Sequence, residues 1–525
     1  MWSSAIASSR RAAELLGCAA VVAVALVRLA LFVSAPVDAQ IPLIPDDAFY
    51  YLVPARSFAL TGHWTFDGVA PATGFHLLYA YLLVALFWVA PGISYASLVL
   101  WIGAVSTALL GAAAYLVSRA VARDFGARAV LGVVFAFTSP IALWQQTFLV
   151  ECSLVVFFSS ALLALLSRAQ DLPRVTKRRL AAALLIGLFG NLARSDFGVL
   201  SACCAAACWL LPRRSEGARR QAALAAAATL GSALGVAAVS LHTLALSGSM
   251  IQSSARMKRH WGSLLGYDVR GFLRPLLDVL APHGTSWLGT RSAGPLLLAL
   301  GLAGAVGRLG RDAARVDRWP LAVGCGLSVI AYVVFYGNVS AGVPPWYLAN
   351  ALAACAYLLG AVLSFVPERA FGPAVAVVAL CAALNVAVSL QPLWPNQVAM
   401  HAGGEYLRSH PEVAPVGAWN AGILSRFSER AVTNLDGLVN DEIHPYATTG
   451  RLLEYICKRR IRFVLDFADN VENPELARRA GYADGRLRAA LHPEVNFSNG
   501  DPSRQWAGKD LKLYRVDEHA CAGQE

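Results

Sequence analysis

Two adjacent carboxylates, Asp46 and Asp47, stand in the run Pro45-Asp46-Asp47-Ala48-Phe49-Tyr50-Tyr51, just past the first long apolar segment of the chain. A carboxylate within hydrogen-bond reach of a hydroxyl takes or orients its proton, which is the part of a general base in group transfer. Two such groups side by side cannot both ionise cheaply at low dielectric, so one of them is expected to hold its proton above the ordinary carboxylate range. Equally, two acids after a span simply end it at the water interface, with the tyrosines as an aromatic belt. Other residues with chemistry to offer are Glu151 opening an apolar segment, Arg194 with Asp196 closing another, and the basic run Arg256-Met257-Lys258-Arg259. Guanidinium and ammonium groups suit an anionic phosphate. A basic interfacial helix anchored by Trp261 has the same composition.

The elements that must position these groups are membrane helices. The 525 residues are 57% hydrophobic and only 15% charged, with mean hydropathy +0.52, the profile of a polytopic α-helical membrane protein. Arg10 and Arg11 precede a full-length apolar run with no convincing cleavage site, so the first helix is expected to stay. The formal charge of +11 does not point to nucleic acid. Most of the basic residues fall in short loops between spans, where orientation explains them, and no zinc spacing or nucleic-acid motif competes.

Spans are expected at 14–35, 95–118, 128–145, 150–167, 179–194, 197–211, 221–246, 294–307, 320–336, 347–366 and 373–390, about eleven crossings in all. The apolar stretch 76–90 is short, and counting it as a crossing would turn every later basic loop outward, against the positive-inside bias. It is read instead as a juxtamembrane helix on the outer side. The loop 36–94, the turn at Glu151, the loop 247–293 and everything after 390 then share the outer face.

From 391 the texture changes. Pro392 and Pro395 break the last span, charge returns, and Ala414–Trp419, Arg430–Leu435, Arg462–Asp466 and Leu511–Val516 read as strands, with a helix over Gly450–Arg459. Residues 391–525 are expected to form a separable soluble α/β domain without a catalytic residue, beside a transmembrane catalytic domain at 1–390. All cysteines but Cys457 and Cys521 lie in or beside apolar spans, and whether that pair is bonded stays open.

In order along the chain, Asp46–Tyr51, Gly74-Phe75-His76, Glu151, Leu192–Asp196 and Pro345-Trp346-Tyr347 resemble the GT-C superfamily of membrane glycosyltransferases. The pattern is closest to the group that includes protein O-mannosyltransferases and aminoarabinose transferases. The tail phrases Gly417–Leu424 and Asn434–Asn440 resemble tails of bacterial members. The resemblance implies a cell-envelope hexosyl- or pentosyltransferase of the bacterial plasma membrane. It would move a sugar from a polyprenyl-phosphate donor to a glycan, lipid or protein acceptor on the extracytoplasmic side, where the C-terminal domain would also lie.

That resemblance carries the family's first-loop acid to Asp46, with Asp47 as its neighbour, and makes Asp46 the general base of an inverting transfer. Relatives carry an Asp-Glu pair here, so which acid is the base stays open. Lys258, Arg256 and Arg194 are the candidates for the donor phosphate, with pairing to Asp196 the stronger reading for Arg194. Glu151 either orients the acceptor or holds a divalent cation. No metal ligand set is fixed and no other cofactor is implied. His76, Trp346 and Tyr347 are candidates for the sugar or acceptor pocket. A transporter or flippase of a lipid-linked sugar is the rival reading, and it wants its charged groups near the bilayer midplane rather than at one face.

Overall fold

The computed structural model describes residues 2–210, 216–265, 319–339, 345–483 and 485–522. Seven of its helices are long and apolar enough to cross a membrane: Arg10–Val33, Tyr95–Phe125, Cys152–Ala169, Glu216–Ser247, Trp319–Tyr336, Pro345–Leu363 and Glu368–Ser389. The bent pair Ala127–Phe137 and Pro140–Thr147 makes an eighth if taken as one span. Its 56° break has a local cause. Ser139 accepts the Ala142 N–H through Oγ at 3.4 Å and Pro140 opens the next turn, so a new helix starts where the old one would have continued.

Against the eleven expected crossings, 294–307 lies outside the described residues. The expected spans 179–194 and 197–211 correspond to helices Lys177–Ala193, of 17 residues, and Gly198–Leu210, of 13. Both fall short of the roughly 20 residues that a perpendicular crossing takes. Leu77–Val89 also has 13 residues, about 20 Å at 1.5 Å per residue, against about 30 Å of hydrocarbon.

Small residues draw the bundle together. A Cβ on Gly187 would sit 1.9 Å from the carbonyl oxygen of Ala228, so helices Lys177–Ala193 and Glu216–Ser247 touch backbone to backbone. That contact fixes the height of Arg194, which ends the first of these helices in an extended conformation (φ −159°, ψ 123°).

After the last span, helix Gln397–Ser409 leads into a five-stranded sheet. Its strands are β1 (Val416–Ala418), β2 (Val432–Asn434), β3 (Phe463–Phe467), β4 (Leu491–Asn496) and β5 (Leu511–Val516), in the order β2-β1-β3-β5-β4. β1 pairs in parallel with β2 and β3, while β5 runs antiparallel to β3 and β4. The central β3 is buried throughout, as its apolar run requires. Cys457 and Cys521 are disulfide-bonded, tying helix Leu452–Lys458 to the chain end.

The tail is in close contact with the rest of the chain. Asp46, Tyr50, Asp67, Thr73, Arg256 and Trp261 all bond directly to residues between 419 and 479. The sheet unit is seated on the end of the helical bundle through these polar contacts, several of them buried.

Candidate functional site

The segment after the first span forms a single 3-10 turn, Asp46–Ala48, that runs into helix Phe49–Thr61. Helical phase then sends successive side chains to different faces. Asp46 faces the C-terminal sheet unit, while Asp47 and Tyr51 face a cavity of about 330 Å³ at the end of the bundle; Tyr50 also lines that cavity, with its hydroxyl reaching the sheet unit.

Asp46 accepts the backbone N–H of Ile423 at 2.6 Å and that of Gly422 at 3.2 Å. Beside it the Tyr50 hydroxyl donates to the carbonyl of Trp419 at 3.0 Å and to Asp436 Oδ2 at 3.1 Å. Asp46, expected as the base, therefore faces the sheet unit. Its two oxygens are engaged by amides of the sheet unit, and it does not line the cavity. Burial pushes its carboxyl up to about 7 even though the Ile423 and Gly422 amides pull it down. Burial likewise raises Asp436, to about 8.

Asp47 is the carboxylate of the pair that lines the cavity, with Lys258 also in its wall. Burial raises its pKa above the usual carboxylate range, with Lys258 opposing and Glu151 adding to the rise. Burial would pull Lys258 down, but its contacts with Tyr347 and Asp47 outweigh that and hold its ammonium charged. Its Nζ donates to the Tyr347 hydroxyl and stands 5.0 Å from the centre of that ring.

The remaining wall is an ion network. Arg194 Nη1 donates to Glu151 Oε1 at 2.6 Å, its Nε to Asp196 Oδ1 at 3.0 Å, and its Nη2 to the Tyr336 hydroxyl at 3.1 Å. The guanidinium lies 4.8 Å from the Tyr347 ring centre. Asn350 donates to Asp196 and completes the set. With both partners almost wholly buried, the Arg194–Glu151 pair would be costly to break, because the survivor would be a bare charge in the interior. Arg194 is thus committed to carboxylates, and its edge forms the cavity wall. His76 Nε2 lies 3.7 Å from Glu151 Oε1 and its Nδ1 lies 3.4 Å from Ser195 Oγ. Trp346 lines the same cavity.

The basic run is divided by helical phase. In helix Ser253–Leu265, Ser254, Ala255 and Lys258 line the cavity, while Ser253 and Arg256 point to the sheet unit. Ser253 Oγ donates to the Leu438 carbonyl at 2.8 Å, and Arg256 Nη2 to Asp441 Oδ1 at 2.6 Å. Arg256, expected at the phosphate, is paired with Asp441 and does not line the cavity. Asp441 also accepts from Thr73 Oγ1 at 2.7 Å. The glycine of Gly74-Phe75-His76 has its reason here: a Cβ would stand 1.6 Å from the Leu438 carbonyl oxygen, where the 434–441 loop crosses. Leu438 itself lines the cavity, so the C-terminal unit supplies part of the wall.

The structure therefore brings together Asp47, His76, Glu151, Arg194, Lys258, Trp346 and Tyr347, and leaves out Asp46 and Arg256. Sequence reasoning missed Tyr51, Gln252, Tyr336 and Leu438. The spacing of Tyr51, four residues after Asp47, was a usable signal; Leu438 had none, because its neighbours are far away in the chain. Among the described residues no group of three His, Cys, Asp or Glu side chains converges to hold a metal ion. The charged groups sit at helix ends, Glu151 before Cys152–Ala169 and Arg194 after Lys177–Ala193, and not at mid-helix.

No protein-family model matches the sequence, and no curated protein matches it. Solved structures do. ArnT from Cupriavidus metallidurans bound to undecaprenyl phosphate superposes with a TM-score of 0.56 at 15% identity, over 95% of this chain and 98% of its own. The apo oligosaccharyltransferase of Archaeoglobus fulgidus gives 0.56 at 14% identity, over 91% and 73%. The archaeal oligosaccharyltransferase AglB from the same organism, in complex with an inhibitory peptide and a dolichol-phosphate, gives 0.54 at 12% identity, over 94% and 74%. At such identities the likeness is one of fold, and the fold is that of the GT-C membrane glycosyltransferases which the sequence motifs resemble.

Proposed function

We propose that this chain is a glycosyltransferase that moves a sugar from a polyprenyl-phosphate-linked donor to an acceptor hydroxyl at the extracytoplasmic ends of its helices. The observation that carries the reading is a cavity lined by a carboxylate with a raised pKa, Asp47, and by a charged lysine, Lys258, at one end of a bundle with this fold. The named ligands of two neighbours, undecaprenyl phosphate and dolichol-phosphate, are phosphates of long isoprenoid alcohols and support the donor class.

In this reading Lys258 neutralises the single phosphate of the donor, with the Tyr347 hydroxyl beside it. The acceptor oxygen attacks the anomeric carbon from the opposite side. As that C–O bond forms and the bond to the phosphate oxygen breaks, Asp47 takes the acceptor proton and polyprenyl phosphate leaves with the bonding pair. One carboxylate suffices for such a displacement, and the configuration at carbon inverts. A raised pKa suits the base, since a group that titrates closer to the working pH accepts the proton with more driving force. Glu151, Arg194 and Asp196 hold the wall rigid, and His76 and Trp346 shape the sugar's surroundings.

The outward orientation is supported by the basic loops between spans and by the Cys457–Cys521 disulfide, a bond that persists in oxidising compartments. Sugar transfer from a short-chain polyprenyl-phosphate donor by purified protein tests the assignment. Wild-type rates in Asp47→Asn, or a trapped glycosyl–protein adduct, would overturn it.

A further inference from the structure

A second cavity, of about 830 Å³, lies along helix Phe49–Thr61, enclosed also by the 91–95 turn and residues 401–431. The transfer chemistry has no use for it. One side is apolar, with Leu52, Val53, Leu60, Phe87 and Ile93. The other carries Arg56, which is exposed, Arg426, which is half-buried, and the Tyr95 hydroxyl. Among the described residues neither Arg56 nor Arg426, both in the wall, has an ion-pair or hydrogen-bond partner. The Tyr95 hydroxyl, also in the wall, is buried without a hydrogen-bond partner.

Of the other charges in the wall, the exposed Glu429 stands near Arg426 and the rest are paired. Arg408 pairs with Glu405, Asp67 pairs with Arg459, and Arg430 donates to the carbonyls of Leu407, His410 and Pro411. Burial and then the like charge of Arg56 pull the Arg426 guanidinium below its ordinary pKa, and the exposed Glu429 only partly opposes them. Two cations that repel each other beside an unsatisfied hydroxyl form a set that several anionic oxygens would complete. The cavity also opens toward a greasy rim. Leu60 and, on the adjoining helix, Trp88 and Val89 are strongly exposed, and Trp88 Nε1 donates to the Ala59 carbonyl at 3.2 Å, clasping the two helices there. An exposed tryptophan among exposed aliphatic side chains is the composition of a bilayer interface.

We propose that this cavity binds the anionic head group of a membrane lipid, its oxygens taken by Arg56, Arg426 and the Tyr95 hydroxyl while its chains leave past Leu60 into the bilayer. The site is separate from the Asp47 cavity and stands whether or not the transfer chemistry does.

Native mass spectrometry of the full-length protein in detergent tests it, with dimyristoylphosphatidylglycerol, dimyristoylphosphatidylcholine and inorganic phosphate as probes. The anionic lipid should bind saturably and at least about tenfold tighter than the zwitterionic one, as two charge-assisted contacts imply. The double variant Arg56→Gln/Arg426→Gln should lose that preference, and Tyr95→Phe, which leaves the shape intact, should weaken the anionic lipid by about two- to tenfold. Asp47→Asn should leave its affinity unchanged. Retention of the preference in the double variant, or in Arg426→Gln together with unaltered binding by Tyr95→Phe should the double variant not fold, overturns the site. Inorganic phosphate binding as tightly as the lipid would show that a free anion, not a lipid, is the occupant.

Discussion

Asp46 and Asp47 stand on two faces of the same turn. The Asp46 face is closed: its carboxylate accepts the amides of Gly422 and Ile423 of the sheet unit. The Asp47 face is open to a cavity whose other groups are a lysine, a histidine, four tyrosines and an arginine–carboxylate network. Identical side chains, both with raised pKa values, thus serve different ends, and what separates them is about 120° of rotation in a 3-10 turn. A perturbed pKa alone does not mark the reacting group; access to the cavity does.

The sharpest way to break the comparison is to neutralise each acid in turn. Asp47→Asn should lower turnover by about 10²–10⁴-fold, the range for losing a general base, with the thermal midpoint unchanged. Next in size is Lys258→Gln, which should raise the donor KM by about tenfold or more through loss of a charge-assisted contact. It should also move the pH profile. Asp47 works only when ionised, so activity rises with pH through a limb above the ordinary carboxylate value of about 4 and is lost as pH falls through it. Lys258 lowers that pKa, so removing its charge should shift the limb to higher pH; a shift the other way would break the assignment of the pair.

A smaller effect, and one on stability, is expected from Asp46→Asn. The amide oxygen can still accept one N–H but its NH₂ group confronts the other, a loss of about 1–3 kcal/mol read by thermal unfolding, with turnover within about tenfold of wild type. The pH dependence sharpens this. A carboxyl raised to about 7 in the fold contributes stability that is present below about 4, its unfolded value, and lost as pH rises through 7. Asp46→Asn should remove that share of the decline between about pH 4 and 7. Least of all, Leu438→Ala should raise KM by only a few-fold, trimming a wall without touching a charge.

Hydropathy made the bundle legible, because apolar runs of membrane length have few other uses. It also showed Asp46–Asp47, Glu151, Arg194 and Lys258 on one face. It could not rank the two acids, since that depends on the phase of a turn beginning at Pro45, nor separate Arg256 from Lys258, which needs the partner Asp441 from 185 positions away. Strands β1, β2, β3 and β5 were legible as short apolar runs. β4 was missed because Leu491–Asn496 reads Leu-His-Pro-Glu-Val-Asn, an edge strand with its register broken between Pro493 and Val495. The tail looked independent because composition changes there, and composition carries no trace of contacts made with the first loop.

The bond from Asp46 to Ile423 spans 377 positions of the chain, and this bears on biogenesis. The carboxylate leaves the ribosome long before the amides that receive it. Until the loop carrying Leu438 has been made and has settled beside Gly74, the cavity has no complete wall, so nascent and prematurely terminated chains hold a full set of early charges with nowhere to assemble them. The cavity is therefore completed late in synthesis, once the 434–441 loop has been made.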